Sequence, residues 1–264
     1  MAYTYQDLLE AYDKVGVKPG MLLYVLSDLR WLMEYEEPGD AAVKAHVKAL
    51  RELIGPSGTI AMPASTINLC NTDIPFDVDQ TPSHRVGVLA EYFRTLPGTK
   101  RSFHPFVSIA ANGPLAGDIV DNVARHAFGP ETPQDRMLKL GARTVSIGHT
   151  PRWTATTVHH VEHLMAVPYR YTKEFMHPVV RDGETHVEPF YRFVMYRDIG
   201  VERDANEKLF ALINDELDVV EADVGRGKVY AYEMNRFYDL ATREFAKDIY
   251  VWCGKLPHTR PYRE

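Results

Sequence analysis

The stretch "KPGMLLYVLSDL", residues 18–29, limits the fold more than any other: after a proline-glycine turn it is apolar without a break from Met21 to Leu26. A run this short cannot span a bilayer, and it reads as a buried strand. Its cover must come from elsewhere in the chain. Upstream, Leu8, Leu9, Tyr12 and Val15 recur at helical spacing behind Thr4, a residue suited to capping. The alternation then repeats. "DAAVKAHVKALRELIG", residues 40–55, is an amphipathic helix with a stop at Gly55, and "GTIAMP", residues 58–63, is a second buried strand. Helix, strand, helix, strand predicts a single α/β domain over residues 1–264, with a mixed central sheet flanked by helices.

The same reading carries on. "VGVLAEYFRTLPG" returns to helix, "FVSIAANG" and "RTVSIGHT" are strands, and "TATTVHHVEHLMAV", residues 154–167, has helical spacing throughout. Asp182-Gly183 between "HPVVR" and "ETHVEPFYRFVMY" signals a hairpin, and helices around "RDANEKLFALINDEL" and "NRFYDLATREFAKDIY" close the fold. "CNTDIPFDVDQTPS", residues 70–83, is a long loop.

With 45% hydrophobic and 25% charged residues, a chain of 264 can bury one sizeable core. The net charge of −6 disfavours a nucleic-acid or anionic-membrane partner and is compatible with a cationic or amine-bearing substrate. Two cysteines, Cys70 and Cys253, allow at most one bridge. Neither a basic leader nor a long apolar run precedes or interrupts the pattern, so a cytoplasmic protein with no membrane partner is expected.

The densest chemistry is "HHVEH", residues 159–163. His159, Glu162 and His163 satisfy the inverted zincin signature, which places two histidines on one helical face with a glutamate as base and needs a third ligand, for which Glu233 is available. The same residues admit an acid–base reading. His159 and Glu162 lie three apart, so the carboxylate can orient the imidazole, and Thr156 one turn earlier adds a hydroxyl to that face. A plainer reading puts His160 and His163 on the solvent face of a helix.

The motifs around this segment resemble, in order and over nearly the whole chain, those of the aminoglycoside 3-N-acetyltransferase family. "LLYVLSDLR", "GPSGTIAMPAS" and "PFDVDQTPS" are similar to its first strand and turn, its second strand and its Thr-Pro-Ser loop. "GVLAEYFRTLPGTKRSFHPFVSIAANGPLA", residues 87–116, is the most specific block, and "FGPETPQDRMLKLGARTVSIG" and "TTVHHVEHLMAVPYRY" follow in place.

The resemblance implies transfer of an acetyl group from acetyl-CoA to a primary amine of an aminoglycoside or related amino sugar, with no metal. An amine held as ammonium cannot attack a thioester, so a base near pH 7 is required. By the match, His159 is that base, Glu162 holds its ring, Thr156 faces the thioester or the oxyanion, and Asp198 is a third member of the relay. Ser27, Leu29, Arg101, Ser102, Val107 and Ser108 match the coenzyme-lining positions. His104-Pro105 also reads as a turn, and Arg94 as a structural ion pair. Ala155, Gln134, Leu26 and Asp28 depart from the family pattern and point to a different amine pocket. A biosynthetic acceptor, such as a nucleotide-linked amino sugar or an aminophosphonate, is the alternative, and a zinc hydrolase a further one. Aromatic residues between Tyr169 and Tyr196 offer faces for a sugar or nucleotide ring. A homodimer is the candidate assembly, and an acyl-Cys70 intermediate is disfavoured against direct transfer.

Overall fold

The computed structural model describes residues 2–259. Its central sheet has seven strands, five of them in the first part of the chain: β1 (Leu22–Ser27), β2 (Thr59–Pro63), β3 (Lys100–Arg101), β4 (Ile109–Asn112) and β5 (Arg143–Ile147). Next come a long hairpin of β6 (Arg170–Arg181) and β7 (Glu184–Met195), the short β8 (Glu202–Arg203), β9 (Val220–Val224), β10 (Gly227–Glu233) and β11 (Cys253–Lys255). The sheet order is β3-β4-β2-β1-β5-β10-β9. β1 runs parallel to both β2 and β5, while β4 and β10 pair antiparallel on the flanks, so the sheet is mixed as expected.

The apolar run of β1 splits by period two. Leu23 and Val25 join the core beneath α1 (Tyr5–Lys14), α2 (Ala41–Ile54) and α3 (Val88–Arg94), packing with Leu8, Tyr12, Leu50 and Phe93. Leu22, Tyr24 and Leu26 face the opposite layer, where α4 (Ala116–Val120) and α5 (Pro133–Lys139) supply Ile119, Val120, Met137 and Leu138. Each such side chain contributes about 1.5–3 kcal/mol on burial. Helix ends follow their sequence signals. Thr4 and Asp7 form a reciprocal capping box on α1, and Gly55, at φ +64°, ends α2.

The segment read as one helix over residues 154–167 is two: α6 (Pro151–Thr154) and α7 (Val158–Leu164). Between them each threonine hydroxyl is committed to a different element. Thr154 bonds Ser146 of β5 at 2.6 Å, Thr156 bonds Tyr24 of β1 at 3.1 Å, and Thr157 accepts from Gln134 of α5 at 3.1 Å. Tertiary hydroxyl bonds therefore override the helical pattern at this turn.

A third core cluster joins α7 to α8 (Glu207–Leu217), α9 (Met234–Lys247), Tyr169 and Trp252. The hairpin keeps a regular register from Arg170 opposite Met195 to Arg181 opposite Glu184, and Asp182 and Gly183 both take positive φ at its tip. Single bridges from Phe76 to Val179 and from His126 to Tyr191 tie it to the long loops. β9 and β10 have no counterpart in the sequence reading, although Ala222, Val224, Val229 and Ala231 are buried at period two; Glu221, Asp223 and Lys228 fill the alternate positions and pair across the exposed edge of the sheet, so no apolar run marks these strands.

Candidate active site

The parallel strands end beside a cleft with two connected arms. One, about 770 Å³, is lined by Ser27, Leu29 and Arg30 after β1, by Gly87 and Val88 at the start of α3, and by His149 after β5. A Cβ on Gly87, at φ +90°, would stand 2.9 Å from the Ser27 carbonyl, so only glycine lets α3 approach so closely. The other arm, about 290 Å³, is lined by Tyr24, Val107, Phe128, Gln134, His159, Arg170, Arg192, Phe193 and Arg203 among others. The arms share Pro63, Ser65, Ile67 and Thr156. A recess of about 530 Å³ on the far side of Thr156 and His159 runs to Asn206 and Trp252. Clefts at the carboxyl ends of parallel strands are the usual ligand sites of such sheets.

Thr156 thus stands where the arms meet, and His159 lines the smaller arm and the recess beside it. His159 keeps 27% of its side chain exposed, while Glu162, one turn on, is 0% exposed. Glu162 lies 3.1 Å from His159 Nδ1 and accepts from Arg170 Nε at 2.9 Å. A carboxylate only accepts, so Nδ1 carries the imidazole proton and Nε2 keeps its lone pair. Burial lowers the His159 pKa below its ordinary value; Glu162 pulls it up, and Arg170 and Arg203 push it down. The ring is neutral at pH 7.

Arg170 makes the buried charge tolerable. It pairs with Glu162, and its Nη1 donates to the Phe193 carbonyl at 3.1 Å, so one guanidinium fastens α7 to the hairpin. Tyr24, its phenol pushed up to about 12 by burial, remains protonated beside Thr156.

Several expected positions stand elsewhere. Thr156 is in the turn before α7 and not on its helical face, yet it reaches the cleft. Ser27 and Leu29 line the larger arm, and Val107 the smaller one. Arg101, Ser102 and Ser108 line neither. Arg101 donates to Ser108 Oγ at 2.9 Å and to the carbonyls of Thr81 and Ala64, while Ser102 Oγ accepts from the Ile109 N–H at 2.9 Å. Ser102 and Ser108 are fully buried, and Arg101 holds the loop over residues 76–83 to the sheet edge, so these three face the protein interior and not the cleft. Asp198 is an exposed turn residue after β7 and does not line either arm.

Arg94 is an ion pair with Glu91 at 2.8 Å, and His104 Nδ1 accepts from the N–H groups of Phe106 and Val107, fixing their turn. His160, expected at the surface, is 1% exposed and accepts from the Gly129 N–H. Among the described residues no three His, Cys, Asp or Glu side chains are placed to hold a metal ion. Glu233, the third ligand of the zinc reading, pairs with Arg143 instead. Cys70 is half-buried and accepts from Arg192 at 2.8 Å; burial raises its thiol pKa, against the pull of Arg192 and Lys173.

Sequence reasoning missed Tyr24, Arg170, Arg192 and Arg203. Tyr24 carried a signal, as the one hydroxyl-bearing side chain inside the apolar run of β1. The arginines carried none, because nothing local distinguishes an arginine that turns inward.

The comparisons with known proteins bear on the family and the fold. A model of the family described as aminoglycoside 3-N-acetyltransferase matches residues 26–246. An aminoglycoside N(3)-acetyltransferase III of Salmonella sp. is 30% identical over 200 residues, covering 69% of this chain and 68% of the relative. An aminoglycoside N(3)-acetyltransferase IV of Salmonella sp. is 35% identical over 168 residues, covering 62% and 60%. Among solved structures, AAC-IIIb bound to CoASH superposes with a TM-score of 0.82 at 20% identity, covering 97% of this chain and 100% of the other. Apo AAC(3)-IVa gives 0.76 at 24% identity, covering 96% and 92%. The chain belongs to the aminoglycoside 3-N-acetyltransferase family, and it is an acyltransferase of the acetyl-CoA-dependent N-acetyltransferase class.

Proposed function

We propose that the protein transfers an acetyl group from acetyl-CoA directly to a primary amine, with His159 as the general base. The observation that carries this is the fully buried Glu162 between His159 and Arg170, with His159 lining the smaller arm beside Thr156, one of the residues the two arms share. Glu162 fixes the ring so that Nε2 is the basic nitrogen and stabilises the imidazolium when it forms. The amine nitrogen bonds to the thioester carbon, and its proton passes to Nε2. The carbon–sulfur bond then breaks, and the proton leaves with the coenzyme thiolate.

Tyr24 and Thr156 share a hydrogen bond at 3.1 Å, and with the phenol as its donor the threonine hydrogen is free to meet the oxyanion of the tetrahedral intermediate. Ser27 and Leu29 take the pantetheine arm in the larger cavity. Of the coenzyme positions implied by resemblance, Arg101, Ser102 and Ser108 act only by shaping the wall, and Asp198 takes no part. The reaction is cytoplasmic.

The names of the relatives point to an aminoglycoside as acceptor. A biosynthetic amine is the second reading, favoured by the absence of any carboxylate among the residues lining the smaller arm.

Thiol release from acetyl-CoA, followed with and without an amine panel and with a chelator control, tests the reaction. His159→Ala is expected to abolish amine-dependent release while circular dichroism stays native. Turnover retained in that variant would remove His159 from the mechanism, and turnover lost to the chelator would restore the zinc reading.

A further inference from the structure

The chain carries net charge −6, yet the space around its base is cationic. Arg170, Arg192 and Arg203 line the smaller arm with His159, and no aspartate or glutamate does. Arg170 is neutralised by Glu162, but the other two have no carboxylate partner among the described residues. Arg192 donates only to the sulfur of Cys70, a weak acceptor. Arg203 lies over the Trp252 ring at 4.9 Å, and that ring stands 5.1 Å from His159.

Arg203 also lines the recess on the far side of His159, so an acceptor entering from either side meets it. Of the two carboxylates of that recess, Glu207 pairs with Arg152 at 2.9 Å, whereas Asp204 accepts from the Lys208 N–H at 3.2 Å and has no cationic partner among the described residues, so the excess of positive charge belongs to the smaller arm and not to the recess. Some surface arginines pair, as Arg243 with Glu216 and Arg181 with Glu188, and others such as Arg51, Arg197 and Arg226 stand exposed to water, which solvates them at no desolvation cost.

A guanidinium left unpaired in a concave site costs desolvation that an anionic ligand returns. Coenzyme A is not that ligand here. Its phosphates lie at the opposite end of the pantetheine arm from the thioester, whereas these guanidiniums share a cavity with the base.

We infer that the acceptor amine carries an anionic group, a phosphate, phosphonate or carboxylate, which Arg203 and Arg192 grip while His159 faces the amine. A polycation such as an unmodified aminoglycoside would instead meet these two positive charges with no counter-charge in the arm. The inference rests on the acetyl-transfer reading and narrows its substrate. Arg203 is a specificity residue, and Phe128 and Phe193 supply the apolar walls beside it.

The test uses matched amines that differ only in the anion: glucosamine with glucosamine 6-phosphate, and propylamine with 3-aminopropanoate, beside a deoxystreptamine antibiotic. In at least one pair the anionic member should show a kcat/KM about tenfold to a hundredfold higher, mainly through KM. Arg203→Gln and Arg192→Gln should bring that ratio towards one, Arg203→Lys should keep most of it, and Arg203→Glu should turn the preference towards the cationic amine. An antibiotic used in preference to every anionic amine, or ratios unmoved by these substitutions, would overturn the inference. Calorimetric binding of the same amines to the protein saturated with coenzyme A separates it from the reaction itself. Anion preference in binding without turnover upholds the grip and overturns acetyl transfer, and turnover without anion preference does the reverse.

Discussion

Glu162 is a carboxylate shut away from water, and its whole effect passes through the His159 ring and the Arg170 guanidinium. Replacing it by glutamine keeps the volume and removes the charge that raises the His159 pKa. For the native protein, kcat/KM should climb as pH rises through a His159 pKa below the ordinary 6.5, then level off, because only the neutral ring accepts a proton. In Glu162→Gln the limb should move to still lower pH, and kcat should drop about a hundredfold. A limb that moved to higher pH would contradict the coupling. Tyr24→Phe isolates the second contact. Without the phenol the Thr156 hydroxyl turns freely, so kcat should fall about fivefold to tenfold, with KM for acetyl-CoA almost unchanged. Steady-state kinetics against acetyl-CoA and amine separately provide the check.

At the scale of elements, the half-buried Arg101 ties the loop over residues 76–83 to the sheet edge, beside the Phe76 bridge to Val179 and the bond from Arg94 to the Asp79 carbonyl. Arg101 donates to Ser108 and to the carbonyls of Thr81 and Ala64, and its guanidinium lies over Phe76 at 4.8 Å. Arg101→Ala should therefore cost about 2–4 kcal/mol in urea unfolding while leaving KM for acetyl-CoA unchanged in folded protein. A tenfold rise in that KM with stability intact would assign Arg101 to the coenzyme after all. The hairpin makes a second case, since β6 and β7 bring Arg170, Arg192 and Phe193 to the cleft. Its tip depends on Gly183, at φ +81°, where an added Cβ meets nothing within 4 Å. Gly183→Ala should lose about 1 kcal/mol from backbone conformation alone, with no change in kcat, because the tip is far along the strands from the site residues.

Over the whole molecule, several buried histidines are held neutral: His46 and His104 have pKa values lowered to about 3, and His160 to about 4, each chiefly by burial. Unfolding returns them to about 6.5, where they bind protons that the native state refuses. Stability should be full above about pH 6.5 and decline as pH falls towards 4. A urea midpoint constant between pH 7 and pH 5 would show that these rings are not held neutral. Much of this architecture was legible in the chain. Apolar runs such as Met21–Leu26, helical spacing behind Thr4 and the Asp182-Gly183 tip are local patterns, and local patterns specify buried strands, capped helices and turns whatever surrounds them. His159 and Glu162 were legible for the same reason, lying three apart on one helix. What stayed hidden depends on residues far apart in sequence. Tyr24 reaches Thr156 across 132 positions and breaks an apparent helix into α6 and α7. Arg101 matches a coenzyme position in sequence, and only the fold shows its guanidinium donating to the carbonyls of Thr81 and Ala64 away from the cleft. The sequence by itself determined most of the elements and the pairing of His159 with Glu162, because those rest on spacing; only the tertiary structure decided which arginines turn into the cleft and which charges remain unpaired there, because that depends on which donors the fold has already satisfied.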